Sequence, residues 1–210
     1  MSSEAALCRQ AARTKTRLAV SRLFGLAVFA LMIVGSSYWR FGEDHLFGSV
    51  LFFVGMLLAC LGFFGRIWCL SFIQGRKKKV LIQEGPYSLC RHPLYLFSLI
   101  GGVGVGLCTR TLTIPLIFLA AFALYYPLVI RKEEEFLVEN FEGYAAYKRE
   151  SNALFPSWSK FAEGETVTMS ARSFRQELTE AAGSVAFIGL IALLQGLQRA
   201  SILPTYFLLP

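Results

Sequence analysis

Gly85-Pro86-Tyr87-Ser88-Leu89-Cys90-Arg91-His92-Pro93-Leu94-Tyr95 separates a basic run, Arg76-Lys77-Lys78-Lys79, from a long apolar segment. Gly85-Pro86 marks a turn. Pro93 marks the first residue of a helix, where a missing N–H costs nothing and the fixed φ is already helical. Arg91 and His92 then stand just outside a helix N-terminus. Its unpaired N–H groups and partial positive charge suit an anion. Apart from Ser98, the residues after Tyr95 are apolar as far as Cys108. The helix is therefore expected to enter a membrane, with an Arg, a His and two Tyr at its mouth. A simple anchor does not need that arrangement, whereas a site does.

The surrounding chain supports a membrane reading. Of its 210 residues 55% are hydrophobic, 19 are Phe, and the mean hydropathy is +0.52, too apolar for an ordinary soluble domain. Five apolar runs stand out: Leu18–Trp39, Leu46–Phe64, Pro93–Cys108, Leu112–Ile130 and Ala181–Leu197. The first carries only Arg22, which can snorkel. It is long, and Gly35-Ser36-Ser37 is a weak cleavage site, so an uncleaved span is preferred over a signal peptide. The third is short for a bilayer core of about 30 Å. Ile67–Ile73 either extends the second helix or lies at the interface. The fold class expected is an all-α integral membrane protein with about five transmembrane helices and a cytoplasmic cofactor site. Residues 1–156 form the core, 157–182 a linker or surface helix, and 183–210 an additional apolar helix that spans fully or lies partly at the interface.

The net charge of +7 does not point to nucleic acid, because the basic residues fall in the loops between apolar runs, where they set topology. With the N-terminus in the cytoplasm, 18 of the 21 Lys and Arg lie on that side; only Arg40, Arg110 and Arg199 lie outside. The expected location is a bacterial inner membrane. In this orientation the Arg91-His92-Pro93 stretch and the Glu133–Glu135 segment meet at the cytoplasmic mouth of one helical hairpin.

Other motifs have plainer readings. Gly101-Gly102-Val103-Gly104-Val105-Gly106 lacks the spacing and the preceding strand of a dinucleotide loop; close helix packing through Gly102 and Gly106 explains it. Two His and five scattered Cys, with no CxxC or HExxH, give no metal site. The cysteines read as small buried hydrophobes. Pro115 and Pro127 are candidate kinks in the fourth span, and Pro127 is placed to open the charged segment that follows. In that segment Leu137, Phe141, Tyr144 and Tyr147 recur at helical spacing on one face.

The polar residues at the mouth have a common chemistry. Arg91 and His92 offer donors to a carboxylate. Glu133 and Glu134 offer acceptors to hydroxyls or an ammonium. Tyr87, Tyr95, Tyr144 and Tyr147 offer flat faces to a purine or a sulfonium. Together they suit a zwitterionic, nucleoside-like ligand.

Gly85-Pro86-Tyr87-Ser88-x-x-Arg91-His92-Pro93-x-Tyr95, followed by Arg131-x-Glu133-Glu134-x-x-Leu137-x-x-x-Phe141 and Tyr144-x-x-Tyr147, resembles the membrane methyltransferase superfamily. That group includes isoprenylcysteine carboxyl methyltransferases and phosphatidylethanolamine N-methyltransferases. The resemblance covers roughly residues 46–156. It implies an S-adenosyl-L-methionine pocket lined by Tyr87, Arg91, His92, Pro93, Tyr95, Glu133, Glu134 and Leu137. His92, Glu133 and Glu134 are the candidates for catalysis. Phe97 stands where the family often has Gly, and Ser151-Asn152-Ala153 replaces its usual Val-Pro-Arg.

The activity so implied is methyl transfer to a lipophilic, membrane-embedded acceptor, an isoprenylcysteine-like carboxylate or thiol. The alternatives are a phospholipid amine, or a non-catalytic binding or transport protein. A transporter favours polar residues at mid-membrane, and these spans are nearly free of charge there. Membrane lipids are expected partners. Oligomeric state is not encoded in any recognisable motif.

Overall fold

The computed structural model describes residue 30 and residues 35–37, 45–73, 80–164, 171–203 and 207–209. The N-terminal basic segment, most of the expected first span and the Arg76–Lys79 run lie outside the described residues.

The core is three helices. Helix α1 spans His45–Ile73. After the single turn α2, Pro86–Leu89, come α3, Pro93–Leu107, and α4, Thr113–Asn140. A short helix α5, Tyr144–Glu150, and a long one, α6, Ala171–Arg199, complete the helical elements. Gly35–Ser37 pairs in parallel with Phe207–Leu209, with Gly35 opposite Phe207. The end of the expected first span is thus a three-residue strand and not helix.

Among the described residues three helices are long and apolar enough to cross a membrane: Leu46–Ile73, Thr113–Asn140 and Phe174–Arg199. Pro93–Leu107 is apolar but shorter. The chain is therefore a mostly helical integral membrane protein; most of the expected first span lies outside the described residues, so the count of three applies to the described residues. Its outward-facing apolar side chains agree: Leu46, Phe64, Leu124 and Leu128 are all well exposed, as suits a surface against lipid.

Helix association in lipid depends on close packing, because hydrocarbon outside competes equally for apolar side chains. The sequence of α1 provides for this. Gly48, Gly55, Ala59, Gly62, Gly65 and Cys69 are buried along one stripe. A Cβ on Gly62 would lie 2.3 Å from the Gly101 Cα, and one on Gly104 would lie 2.3 Å from the Ala59 nitrogen. Backbone therefore touches backbone between α1 and α3. Gly102 and Gly106, the glycines expected to pack a helix, do so against α4: they receive the Phe118 ring and the Pro115 backbone. The α3–α4 turn is tight. Arg110 takes a φ of 58°, and Thr109 Oγ1 bonds to the Gly106 carbonyl at 2.6 Å.

Three local outcomes differ from the pattern reading or settle it. Ile67–Ile73 extends α1. Pro127 does not open a new helix but lies inside α4; the loss of one N–H is tolerated in a long membrane helix. Ala171–Arg199 is one helix and runs across the 182/183 division expected from composition. Its far end is tied to the α3–α4 turn, where Gln195 Nε2 donates to the Thr109 carbonyl at 2.7 Å.

Candidate active site

The site begins with a turn that only glycine accommodates. Gly85 has φ 57°, and a Cβ there would lie 2.4 Å from the Phe72 ring. Its N–H donates to the Ala162 carbonyl at 2.8 Å. Ser88 Oγ donates to the Gly85 carbonyl at 2.6 Å and accepts from the Ala162 N–H at 3.0 Å. The chain then extends through Cys90, and α3 starts at Pro93 as the sequence predicts.

A returning strap holds this loop in place. Arg91 N–H donates to the Asn152 carbonyl at 2.9 Å and His92 N–H to the Ala153 carbonyl at 3.0 Å. Ser157 N–H donates to the Leu89 carbonyl at 2.9 Å. Residues 152–162 therefore lie along residues 85–92. Below them Tyr147 Oη donates to the Tyr87 carbonyl at 2.5 Å.

The charged centre is Glu134. Arg91 Nε reaches its Oε1 at 2.9 Å, and His92 Nε2 reaches the same oxygen at 3.3 Å. Lys148 Nζ lies 2.7 Å from Oε2. Arg91 Nη1 also donates to the carbonyls of Lys148, at 2.8 Å, and of Ser151. Beside this cluster Tyr95 Oη donates to Glu133 Oε2 at 2.7 Å. His92 Nδ1 lies 4.0 Å from the same Glu133 oxygen. The Tyr95 ring stacks on His92 and meets Tyr126 edge-on, with centroids 5.1 Å apart in the second pair.

Burial and neighbouring charges shift the titration of these groups. Burial lowers the His92 pKa below its ordinary 6.5, more than the two neighbouring carboxylates raise it. This lowering favours the neutral imidazole, whose Nε2 faces the Glu134 carboxylate. Burial pushes the Cys90 thiol up to about 11, so it is no thiolate nucleophile. Burial, and then the Glu134 carboxylate, push Tyr144 up to about 12.

A cavity of about 330 Å³ opens between these elements, within the ordinary range for a small-molecule site. Tyr87, Arg91, His92, Tyr95, Glu133, Tyr144 and Tyr147 form its polar and aromatic wall; Ile73, Val80, Leu81, Ile82, Leu94, Phe136, Leu137 and Phe141 form its apolar wall. Two buried phenols of the lining, Tyr87 Oη and Tyr144 Oη, have no hydrogen-bond partner among the described residues. Buried polar atoms are rarely left so in a protein.

Of the residues singled out by sequence, Tyr87, Arg91, His92, Tyr95, Glu133 and Leu137 line the cavity. Pro93 and Glu134 do not. Pro93 is buried at the start of α3, and Glu134 sits behind Arg91, His92 and Lys148 as their common acceptor. Leu137, Phe141, Tyr144 and Tyr147 do meet on the cavity side, but not as one helix. The chain breaks at Gly143, φ 88°, between α4 and α5. Lys148 was not anticipated; no spacing rule links it to Glu134. Among the described residues no group of three or more His, Cys, Asp or Glu is placed to hold a metal ion.

The chain belongs to the membrane methyltransferase superfamily: residues 44–143 match the phospholipid methyltransferase family. The chain is also 38% identical to the nickel-cobalt-cadmium resistance protein NccN of Alcaligenes xylosoxydans xylosoxydans, over 94% of this chain and 91% of that protein. It is 39% identical to the cobalt-zinc-cadmium resistance protein CzcN of Cupriavidus metallidurans, over 84% of this chain and 79% of that protein. No solved structure matches the chain significantly.

Proposed function

We propose that the chain transfers a methyl group from S-adenosyl-L-methionine to a lipophilic acceptor reaching the cavity from the bilayer. The observation that carries this reading is the cavity itself: two buried phenols, unpartnered among the described residues, face a pocket that also presents Glu133, Arg91 and an apolar wall. The residues fit the cofactor. Tyr87 and Tyr144 offer hydroxyls, Glu133 an acceptor for hydroxyls or an ammonium, and the aromatic rings a face for a sulfonium or purine. Arg91 is already committed to Glu134 and two carbonyls, so its role toward a carboxylate is as part of that cluster. Pro93 starts the helix that carries Tyr95, and Glu134 positions Arg91 and His92.

When bound, the cofactor supplies an electrophilic methyl on a sulfonium. The protein then has to align an acceptor lone pair in line with the breaking C–S bond and exclude water. A carboxylate or thiolate acceptor needs no base. An amine must lose a proton, and Glu133 or the neutral His92 is placed to take it. We read the cavity as cytoplasmic, in a bacterial inner membrane, on the distribution of Lys and Arg. The relatives are named for metal resistance; methylation of a membrane component is the activity by which this chain would contribute to such a role.

The test is calorimetric titration of S-adenosyl-L-methionine into the purified chain in detergent, with Tyr95→Phe alongside. Binding by the wild type, weakened about three- to tenfold when the Glu133 hydrogen bond is lost, is the expected result. No binding by folded wild type overturns the reading.

A further inference from the structure

Away from the cavity, a charged pair sits among the membrane helices. Arg66 on α1 donates from Nη1 to Ser98 Oγ on α3 at 2.6 Å. Its Nη2 lies 3.6 Å from Oε2 of Glu180 on α6. With Phe63, Gly102 and Ser184 these residues line a recess of about 200 Å³ between α1, α3 and α6. A charge within an apolar helix is costly and marks a functional position by default.

The depth of the recess is informative. Arg66 lies two turns before Ile73, about 10 Å of helical rise, and Ile73 lines the candidate cavity. Ser98 lies one turn beyond Tyr95 on the same face of α3. On α6 the sequence changes at this point from Arg175-Gln176-Glu177-Leu178-Thr179-Glu180 to Ala181-Ala182-Gly183-Ser184-Val185. The recess therefore lies toward the cavity end of α1 and α3, where the α6 sequence turns from polar to apolar.

The two contacts of Arg66 differ in kind. The bond to Ser98 is short, and Ser98 in turn donates to the Leu94 carbonyl at 2.7 Å. The contact with Glu180 is too long for a good hydrogen bond, and that side chain is 53% exposed. Glu180 Oε1 accepts a long contact, 3.4 Å, from Gln176. One side of the guanidinium is anchored to the core and the other faces an exchangeable carboxylate.

We propose that this recess binds the oxyanion, phosphate or carboxylate, of a membrane amphiphile arriving between α1, α3 and α6, and that Glu180 is the counter-ion it displaces. This deepens the methyl-transfer reading and rests on it in one respect: the acceptor is then an anionic amphiphile. The site itself is testable without turnover.

The test titrates dihexanoyl phosphatidylglycerol, and separately sodium phosphate, into the full chain in maltoside detergent. Arg66→Gln is expected to weaken lipid binding at least tenfold. Glu180→Gln is expected to tighten it several-fold, because a competitor is removed. Cofactor affinity stays within twofold in both. Weakening in both variants, or no change in either, overturns the proposal, since a mere latch for α6 predicts one of these. Phosphate binding as tightly as the lipid overturns the amphiphile. If Arg66→Gln does not fold, Arg66→Lys and Ser98→Ala take its place, each expected to weaken lipid binding about threefold and overturning the proposal if neither does. Loss of cofactor binding by the wild type with lipid behaviour intact rejects methyl transfer and leaves the recess standing.

Discussion

Arg91 and Glu134, 43 residues apart in the chain, meet through an Nε to Oε1 hydrogen bond of 2.9 Å. Their side chains are only 10% and 11% exposed. This pair fastens the loop before α3 to the cavity end of α4. The same Glu134 oxygen lies 3.3 Å from His92 Nε2.

Removing Glu134 leaves Arg91 and Lys148 facing each other without a counter-charge. Glu134→Ala is expected to destabilise the protein by about 3 kcal/mol, the low end for a broken buried pair, and to weaken cofactor binding more than tenfold. Lys148 is 45% exposed, so Lys148→Ala should cost about 1 kcal/mol or less and leave binding within threefold. Thermal unfolding in detergent and calorimetry measure both. Equal effects from the two variants would show that Glu134 is not the hub.

His92 makes stability depend on pH. Its folded pKa is lowered by burial, so the unfolded chain takes up a proton at a higher pH than the folded one. The contribution is present in full above about 6.5 and is lost as the pH falls from there toward the lower folded value. The melting temperature at pH 5.5 should lie below that at pH 7.5, and His92→Gln should flatten this drop. An unchanged drop in the variant would assign it to other groups.

The glycine interface predicts opposite responses within one protein. Gly62→Ala and Gly104→Ala force a Cβ to within 2.3 Å of backbone atoms; each should cost about 1–3 kcal/mol through overpacking. Gly189 and Gly196 on α6 have nothing within 4 Å of an added Cβ. Alanine there should be neutral or stabilising by up to about 1 kcal/mol. Melting temperatures of the four variants decide it, and similar losses at all four would refute the packing account.

Much of this was legible in the sequence because it depends on local chemistry. Apolar runs of sufficient length have to form helices in lipid, where an unpaired backbone group costs several kcal/mol. Pro93 starts α3 because a proline has no N–H to lose there, and the turn at Gly85 follows from its neighbour Pro86. The two motifs that meet at the cavity could be paired because a tight hairpin returns the chain to the same membrane face. What the tertiary structure alone decided is which atoms meet. Glu134 reads as a ligand contact next to Glu133, but helical geometry turns it toward Arg91 and Lys148 while Glu133 turns to Tyr95 and the cavity. Lys148, the strap at 152–162 and the Arg66–Glu180 recess each join residues from separate elements, with no periodicity to announce them. A sequence determines which segments form helices because that preference is local; which side chains share a charge or a cavity follows only from how those helices cross.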